Sequence, residues 1–272
     1  MLRRAAVAGR PVAHSLSPVI HRAGYAAAGL DGWSYDAIDC GELELAPLVA
    51  GLGPEWAGLS LTMPLKQVAV AVADEVTPLA ATLGAANTLV RLPDGRWRAD
   101  NTDAPGMVDA VGAGLRPGDV VVLGAGGTAR AALGAAARLG AERVTVVARR
   151  ADAVAALEPV AAALGLRIAH RPWDEAAEAL GAGDLVVSTV PKAVADPLAG
   201  RVAWRPGAVL LDVLYDPWPT PLAASASGAG HRVVSGLDLL LAQAVLQFEL
   251  FTGVPAPTDA MRTALRAAVA AR

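Results

Sequence analysis

Residues 119–150 read DVVVLGAGGTARAALGAAARLGAERVTVVARR. An apolar run, a glycine turn, an alanine-rich stretch of helical length and a second apolar run make a βαβ unit, which commits this part of the chain to a parallel sheet. The turn, Gly124-Ala125-Gly126-Gly127-Thr128-Ala129, fits G-x-G-x-x-G/A with Ala129 in the third place. Its glycines permit a tight turn and close approach of a pyrophosphate, and the helix behind them offers free N–H groups and a favourable dipole. The pattern predicts a dinucleotide site; the alternative is a tight turn with no ligand. Where an NAD site usually places Asp or Glu on the ribose 2′-hydroxyl, this chain has Arg149 and Arg150. Arginine would bind a 2′-phosphate, which points to NADP, unless the pair is only a solvated strand end.

Two more all-apolar runs, DLVVSTV and AVLLDVLY, suit the same covered parallel sheet. The first hundred residues alternate strand and helix signals. RRAAVAG, WSYDAID and WAGLSLT read as strands. SPVIHRAGYAAAGL reads as a helix with Ser17 as N-cap, Pro18 in the first helical position and Gly29 at the C-terminus. Further helices follow Pro64 and Thr77-Pro78, and PDG between NTLVRL and RWRADN predicts a hairpin. From about Leu237 the chain reads as helical, with a second helix after Pro257. The expectation is a two-domain α/β protein. Residues 1–103, completed by C-terminal helices over 237–272, form one α/β domain, and residues 104–236 form a Rossmann-type doubly wound domain.

At 272 residues and 54% hydrophobic, the chain can fill two cores. A net charge of −3 with no basic block argues against a nucleic-acid partner. The single cysteine, Cys40, reads as an inert buried thiol, and no Cys/His cluster has metal-ligand spacing. His14 reads as structural. There is no signal-peptide pattern and no apolar run of membrane-spanning length, so a cytoplasmic protein without a membrane partner is expected.

Only two lysines occur, Lys66 and Lys192, among many arginines. Arginine stays protonated in proteins, whereas lysine can give up its proton. Lys66 is therefore a candidate proton-handling group, or else a surface lysine left by chance. HSLSP, LTMPLK, GAANT and DNTD place hydroxyls, amides and charges in loops beside strand and helix ends. Such a set suits a small polyhydroxylated ligand. Taken singly, Ser17 could be only a cap, Asn87 and Asp103 only turn formers, and Gln243 only a surface amide.

In order along the chain, HSLSP, SLTMPLK, GAANTL, DNTDAPG, GAGGTARAAL, DVLYDPWPTPL and SGLDLLLAQAVLQFELFTG resemble the shikimate dehydrogenase family nearly end to end. The resemblance implies NADP-dependent, reversible reduction of 3-dehydroshikimate to shikimate, in aromatic amino-acid (chorismate) biosynthesis. It implies Lys66 and Asp103 as the catalytic pair and Ser15, Ser17, Thr62, Asn87, Tyr215 and Gln243 as substrate ligands. Cofactor contacts are implied for the glycine turn, Arg149, Arg150 and Gly236, with the active site in a cleft between the domains. A homodimer is one assembly such a chain could form.

The sequence also departs from the commonest family pattern. Ser60 replaces an Asn before the T-x-P-x-K segment, so a hydrogen bond there should be shorter or absent. Ala148-Arg149-Arg150 replaces Asn-Arg-Thr, and Leu239 takes a methionine's place. The rivals are an NAD-preferring quinate/shikimate dehydrogenase, a non-catalytic ligand sensor on the same scaffold, and a methylene-tetrahydrofolate dehydrogenase-like enzyme. Ser17 and Arg149 argue against the first, and the presence of both Lys66 and Asp103 against the second. The 4% aromatic content leaves little to stack on a pterin.

Overall fold

The structure, a computed structural model, describes residues 2–272. Its elements run β1 (Arg3–Gly9), α1 (Ser17–Ala27), β2 (Trp33–Asp39), α2 (Glu42–Ala50), β3 (Trp56–Leu61), α3 (Val68–Val72), β4 (Glu75–Val76), α4 (Pro78–Leu83), β5 (Thr88–Arg91), β6 (Trp97–Asp100), α5 (Asp103–Val111), β7 (Val120–Leu123), α6 (Gly127–Arg138) and β8 (Arg143–Val147). They continue α7 (Ala151–Ala155), α8 (Glu158–Ala163), β9 (Arg167–Arg171), α9 (Ala176–Ala182), β10 (Leu185–Ser188), β11 (Val209–Asp212), α10 (Pro221–Gly228), β12 (Arg232–Ser235), α11 (Gly236–Thr252) and α12 (Thr258–Ala270). Among the described residues no helix is long and apolar enough to cross a membrane.

The chain divides into two compact units, residues 1–103 with 240–272, and residues 104–239. The division falls within the first turn of α11, three residues beyond the boundary expected from the sequence, because the helix continues unbroken from one unit into the other.

The first unit holds a mixed six-stranded sheet in the order β2-β1-β3-β5-β6-β4. β2, β1 and β3 are parallel, and β5 runs antiparallel between β3 and β6. Every residue of central β3 is buried, as a strand covered on both faces requires. Leu59, Leu65 and Leu89 are completely buried in this core, each contributing about 1.5–3 kcal/mol. Helix α12 packs on α1, and Phe248 of α11 is completely buried.

Helix α1 corrects the expectation for Ser17. Leu16 occupies the N-cap position, Ser17 is the first helical residue, and no side chain caps the helix from that position. Ser17 N–H donates instead to Ser15 Oγ at 3.3 Å, so the earlier serine serves the helix end. At α4 the expected cap is present: Thr77 Oγ1 accepts from Ala80 N–H. The helix expected after Pro64 is delayed to Val68, because residues 64–67 form turns first.

The second unit is a six-stranded, all-parallel sheet in the order β12-β11-β10-β7-β8-β9. Read from the other edge, the strands come third, second, first, fourth, fifth and sixth along the unit, the doubly wound order that reverses between β7 and β10.

Candidate active site

In the first unit, topology brings four loops to one sheet edge. β1 and β3 are parallel, so the segments after Gly9 and after Leu61 leave on the same side. β5 is antiparallel to both neighbours, and Ser60 pairs with Thr88, which pairs with Asp100. Residues 85–87, entering β5, and 101–103, leaving β6, therefore meet the end of β3. A Cβ on Gly9 would overlap the Thr62 methyl group, so the first two loops pass too closely for any side chain there. Arg10 N–H to Met63 O, 2.9 Å, and Thr62 N–H to Ala8 O, 2.9 Å, tie the loops together.

Lys66 and Asp103 meet at this edge. Lys66 Nζ donates to Asp103 Oδ2 at 2.7 Å, with the side chains 17% and 8% exposed. The other carboxylate oxygen, Oδ1, accepts from Asn87 Nδ2 at 2.9 Å. Asn87 Nδ2 also lies 2.9 Å from Thr102 Oγ1 and 3.4 Å from Gln243 Oε1, while Asn87 Oδ1 accepts from Thr102 N–H at 2.7 Å. A buried carboxylate next to an ammonium and an amide donor is a charge kept in place by paired hydrogen bonds. Lysine has three N–H bonds. Its place beside Asp103 suits delivery of a proton to a reacting oxygen.

The structure thus joins Lys66, Asp103, Asn87 and Gln243 directly. Gln243 is buried and is not a surface amide. Ser15 is half-buried, Ser17 is buried, and Thr62 is half-buried at the end of β3.

Several polar side chains at this edge were not expected from the sequence. Ser60, in the place of the family's Asn, has a buried Oγ that accepts from Tyr35 OH at 2.6 Å and donates to Gln247 Oε1 at 2.7 Å. Gln247 is completely buried and donates to Asn87 O at 3.1 Å and Thr88 Oγ1 at 3.0 Å. Burial pushes the Tyr35 phenol up, while hydrogen bonds to Ser60 and Ser17 pull the other way. His21 stacks on Tyr35 with ring centroids 4.1 Å apart, and burial lowers its pKa to about 3, so the ring is neutral. The available signal was the spacing of Gln247 one helical turn after Gln243, which puts both amides on one face of α11.

In the second unit, the glycine turn leaves β7 beside the point where strand order reverses. Gly124 has φ of +107°, a conformation that favours glycine, and a Cβ there would come within 2.6 Å of Thr189 Oγ1. Gly126 is the N-cap of α6, and a Cβ on it would meet nothing within 4 Å, so the turn is open on that side. Ala125, Gly127 and Thr128 are half-buried, and Ala129 is buried against the sheet. An open glycine turn at a helix N-terminus fits a diphosphate. Arg149 and Arg150 follow β8 and are exposed, Arg150 lying 3.8 Å from Asp152. Their exposure leaves both guanidinium groups accessible to a 2′-phosphate.

Tyr215 lies in the loop after β11, half-buried. Asp212 anchors that loop: its Oδ2 accepts from Thr220 Oγ1 at 2.7 Å and its Oδ1 from Leu214 N–H at 3.2 Å. Burial raises the Asp212 pKa, and these hydrogen bonds oppose the shift. Gly236 N–H donates to Leu214 O, and a Cβ on Gly236 would overlap Val213 O, so only glycine starts α11 this close to the loop. Leu239, in the methionine's place, is buried.

Comparison with known proteins agrees along the whole chain. The family model for the shikimate dehydrogenase substrate binding domain matches residues 7–89, and that for the shikimate 5′-dehydrogenase C-terminal domain matches residues 236–266. Residues 99–217 match the alanine dehydrogenase/PNT C-terminal domain. A shikimate dehydrogenase (NADP(+)) of Methylobacterium radiotolerans is 42% identical over 92% of this chain and 91% of its own. The crystal structure of Mycobacterium tuberculosis shikimate dehydrogenase superposes with a TM-score of 0.90 at 50% identity, covering 97% of this chain and 99% of that one. A Thermus thermophilus shikimate 5-dehydrogenase, solved in complex with NADP(H) and shikimate, gives a TM-score of 0.84 at 35% identity, over 98% of this chain and all of its own.

Proposed function

Because the chain belongs to the shikimate dehydrogenase family, we propose that it catalyses the reversible, NADPH-dependent reduction of 3-dehydroshikimate to shikimate, with Lys66 and Asp103 as its proton-handling pair. The observation that carries the assignment of roles is the 2.7 Å contact between Lys66 Nζ and Asp103 Oδ2, held from the far side by Asn87. NADPH, when bound, supplies the hydride that reduces the C3 carbonyl carbon.

The chain's own residues do the rest. Lys66 points N–H groups at the C3 oxygen and gives it the proton that completes the alcohol. Asp103 fixes the ammonium and accepts from the neighbouring ring hydroxyl. Gln243 donates to a ring hydroxyl beside Asn87, Ser15 and Ser17 hold the carboxylate, and Thr62 closes the side of the ring. The first unit is the substrate-binding domain on this reading, and the second binds NADP. In the second unit, the N–H groups of the glycine turn hold the diphosphate, while Arg149, with Arg150 beside it, holds the 2′-phosphate. Gly236 lets the start of α11 pass directly against the loop after β11.

Initial rates with shikimate and quinate, each with NADP and with NAD, test the whole reading. Shikimate with NADP should give a much larger kcat/KM than the other three pairs. Comparable values for quinate and NAD would assign the chain to the quinate-using rival. No turnover with any pair would remove the enzymatic reading.

A further inference from the structure

The buried polar side chains behind Asn87 form a row whose hydrogen bonds all run one way. The direction is fixed by one atom. Asn87 O is a backbone carbonyl and can only accept, so the amide face of Gln247 turned to it at 3.1 Å must be Nε2. Gln247 Oε1 therefore faces Ser60, and Ser60 Oγ must donate its hydrogen there, at 2.7 Å. That leaves Ser60 to accept from Tyr35 OH at 2.6 Å. On the other side, Gln247 Nε2 donates to Thr88 Oγ1 at 3.0 Å, and Thr88 passes its own hydrogen to Asn87 Oδ1, also at 3.0 Å. With Oδ1 so occupied, and occupied again by Thr102 N–H at 2.7 Å, Asn87 has only Nδ2 to turn toward Asp103 Oδ1. Each link sits in a buried, low-dielectric site, where a chain of aligned donors is strengthened and an unpaired member is costly.

We propose that Gln247 is a positioning residue for the reaction, acting through Thr88 and Asn87 to fix the Asp103 carboxylate against Lys66, with Ser60 and Tyr35 setting the orientation of its amide. The inference rests on the reading of Lys66 and Asp103 as the proton-handling pair. It also accounts for the serine at position 60. A hydroxyl there accepts from Tyr35 and donates to Gln247 with a single rotor, filling both needs of the row.

The test is steady-state kinetics on Gln247→Met, which keeps the length of the side chain and removes its hydrogen bonds. Loss of one such link should lower kcat by roughly threefold to tenfold. KM for shikimate should stay within about twofold, because the direct ring contacts remain. Ser60→Ala, which frees the Gln247 amide to turn over, should move kcat in the same direction by less, and it carries the test if Gln247→Met does not fold. The decisive arm is a double variant. Because Gln247 acts through Asp103, adding Gln247→Met to Asp103→Asn should cost little beyond Asp103→Asn alone. An unchanged kcat in both single variants, with only a lower melting temperature, would overturn the proposal. So would a full multiplicative loss in the double variant. A wild-type protein that does not oxidise shikimate with NADP would instead overturn the functional reading, and that is seen before any variant is made.

Discussion

A lysine at position 66 differs from an arginine only if its proton has to move. Lys66→Ala should lower kcat by about 10²–10⁴, the usual contribution of a positioned acid or base, with a smaller rise in KM. Lys66→Arg keeps the charge beside Asp103 but cannot cycle the proton. It should be nearly as slow, and an arginine variant with near-normal kcat would make Lys66 a binding group only. His21 links stability to pH. Its folded pKa, about 3, lies below the ordinary 6.5, so between these values the unfolded chain takes up a proton that the folded ring refuses. Stability is fully present above pH 6.5 and is lost as pH falls, by at most about 1.4 kcal/mol per pH unit. Urea unfolding of the wild type and of His21→Leu at pH 7, 6 and 5 should show a steeper decline in the wild type. Parallel declines would mean that the imidazole is not the group responsible.

The β7-turn-α6-β8 unit was readable in one pass because its signals are local: apolar runs, glycines and arginines within 32 consecutive residues. Arg149, at the exposed end of β8, should read the 2′-phosphate. Arg149→Asp should weaken NADP by one to two powers of ten and leave NAD much less affected, since a charge-assisted hydrogen bond is worth roughly 1.5–3 kcal/mol. Equal losses in fluorescence titrations with the two cofactors would shift the role to Arg150. The Lys66–Asp103 pairing was legible only through the order of motifs along the chain, because spacing says nothing about contact between residues 37 apart. Ser60 and Gln247, 187 apart, were not legible at all as partners. Gly58 shows the same limit. It looked like any strand glycine, yet a Cβ there would overlap the ring of Phe251 and come within 2.8 Å of Leu89 O. Helix α1 was misread at its start because Ser17 has the right side chain for a cap, while the backbone turns into the helix one residue earlier.

At the scale of the whole molecule, the two units differ in how they are made from the chain. Residues 104–239 are continuous and contain an entire parallel sheet, whereas the other unit needs residues from both ends of the sequence. A fragment of residues 104–239 should fold by itself, with dispersed amide resonances and a cooperative melt. A fragment of residues 1–103 should not, because Phe248 and Phe251 are missing from its core and α12 is missing from the face of α1. Adding a peptide of residues 240–272 should restore order. A stable, cooperatively melting 1–103 fragment would show that the C-terminal helices only decorate that unit.

The split unit also sets an order of events on the ribosome. The first 103 residues emerge early but must wait for residues 240–272, which are made after the whole of the other unit. At about 5–20 residues per second the wait is roughly 7–30 s. During it, the nascent sheet lacks the helices that cover it and offers β3, a strand buried along its whole length in the finished unit, to whatever is nearby. The part of the chain synthesised first is thus the last to be finished, and its newly made, uncovered face is where a chaperone has the most to do.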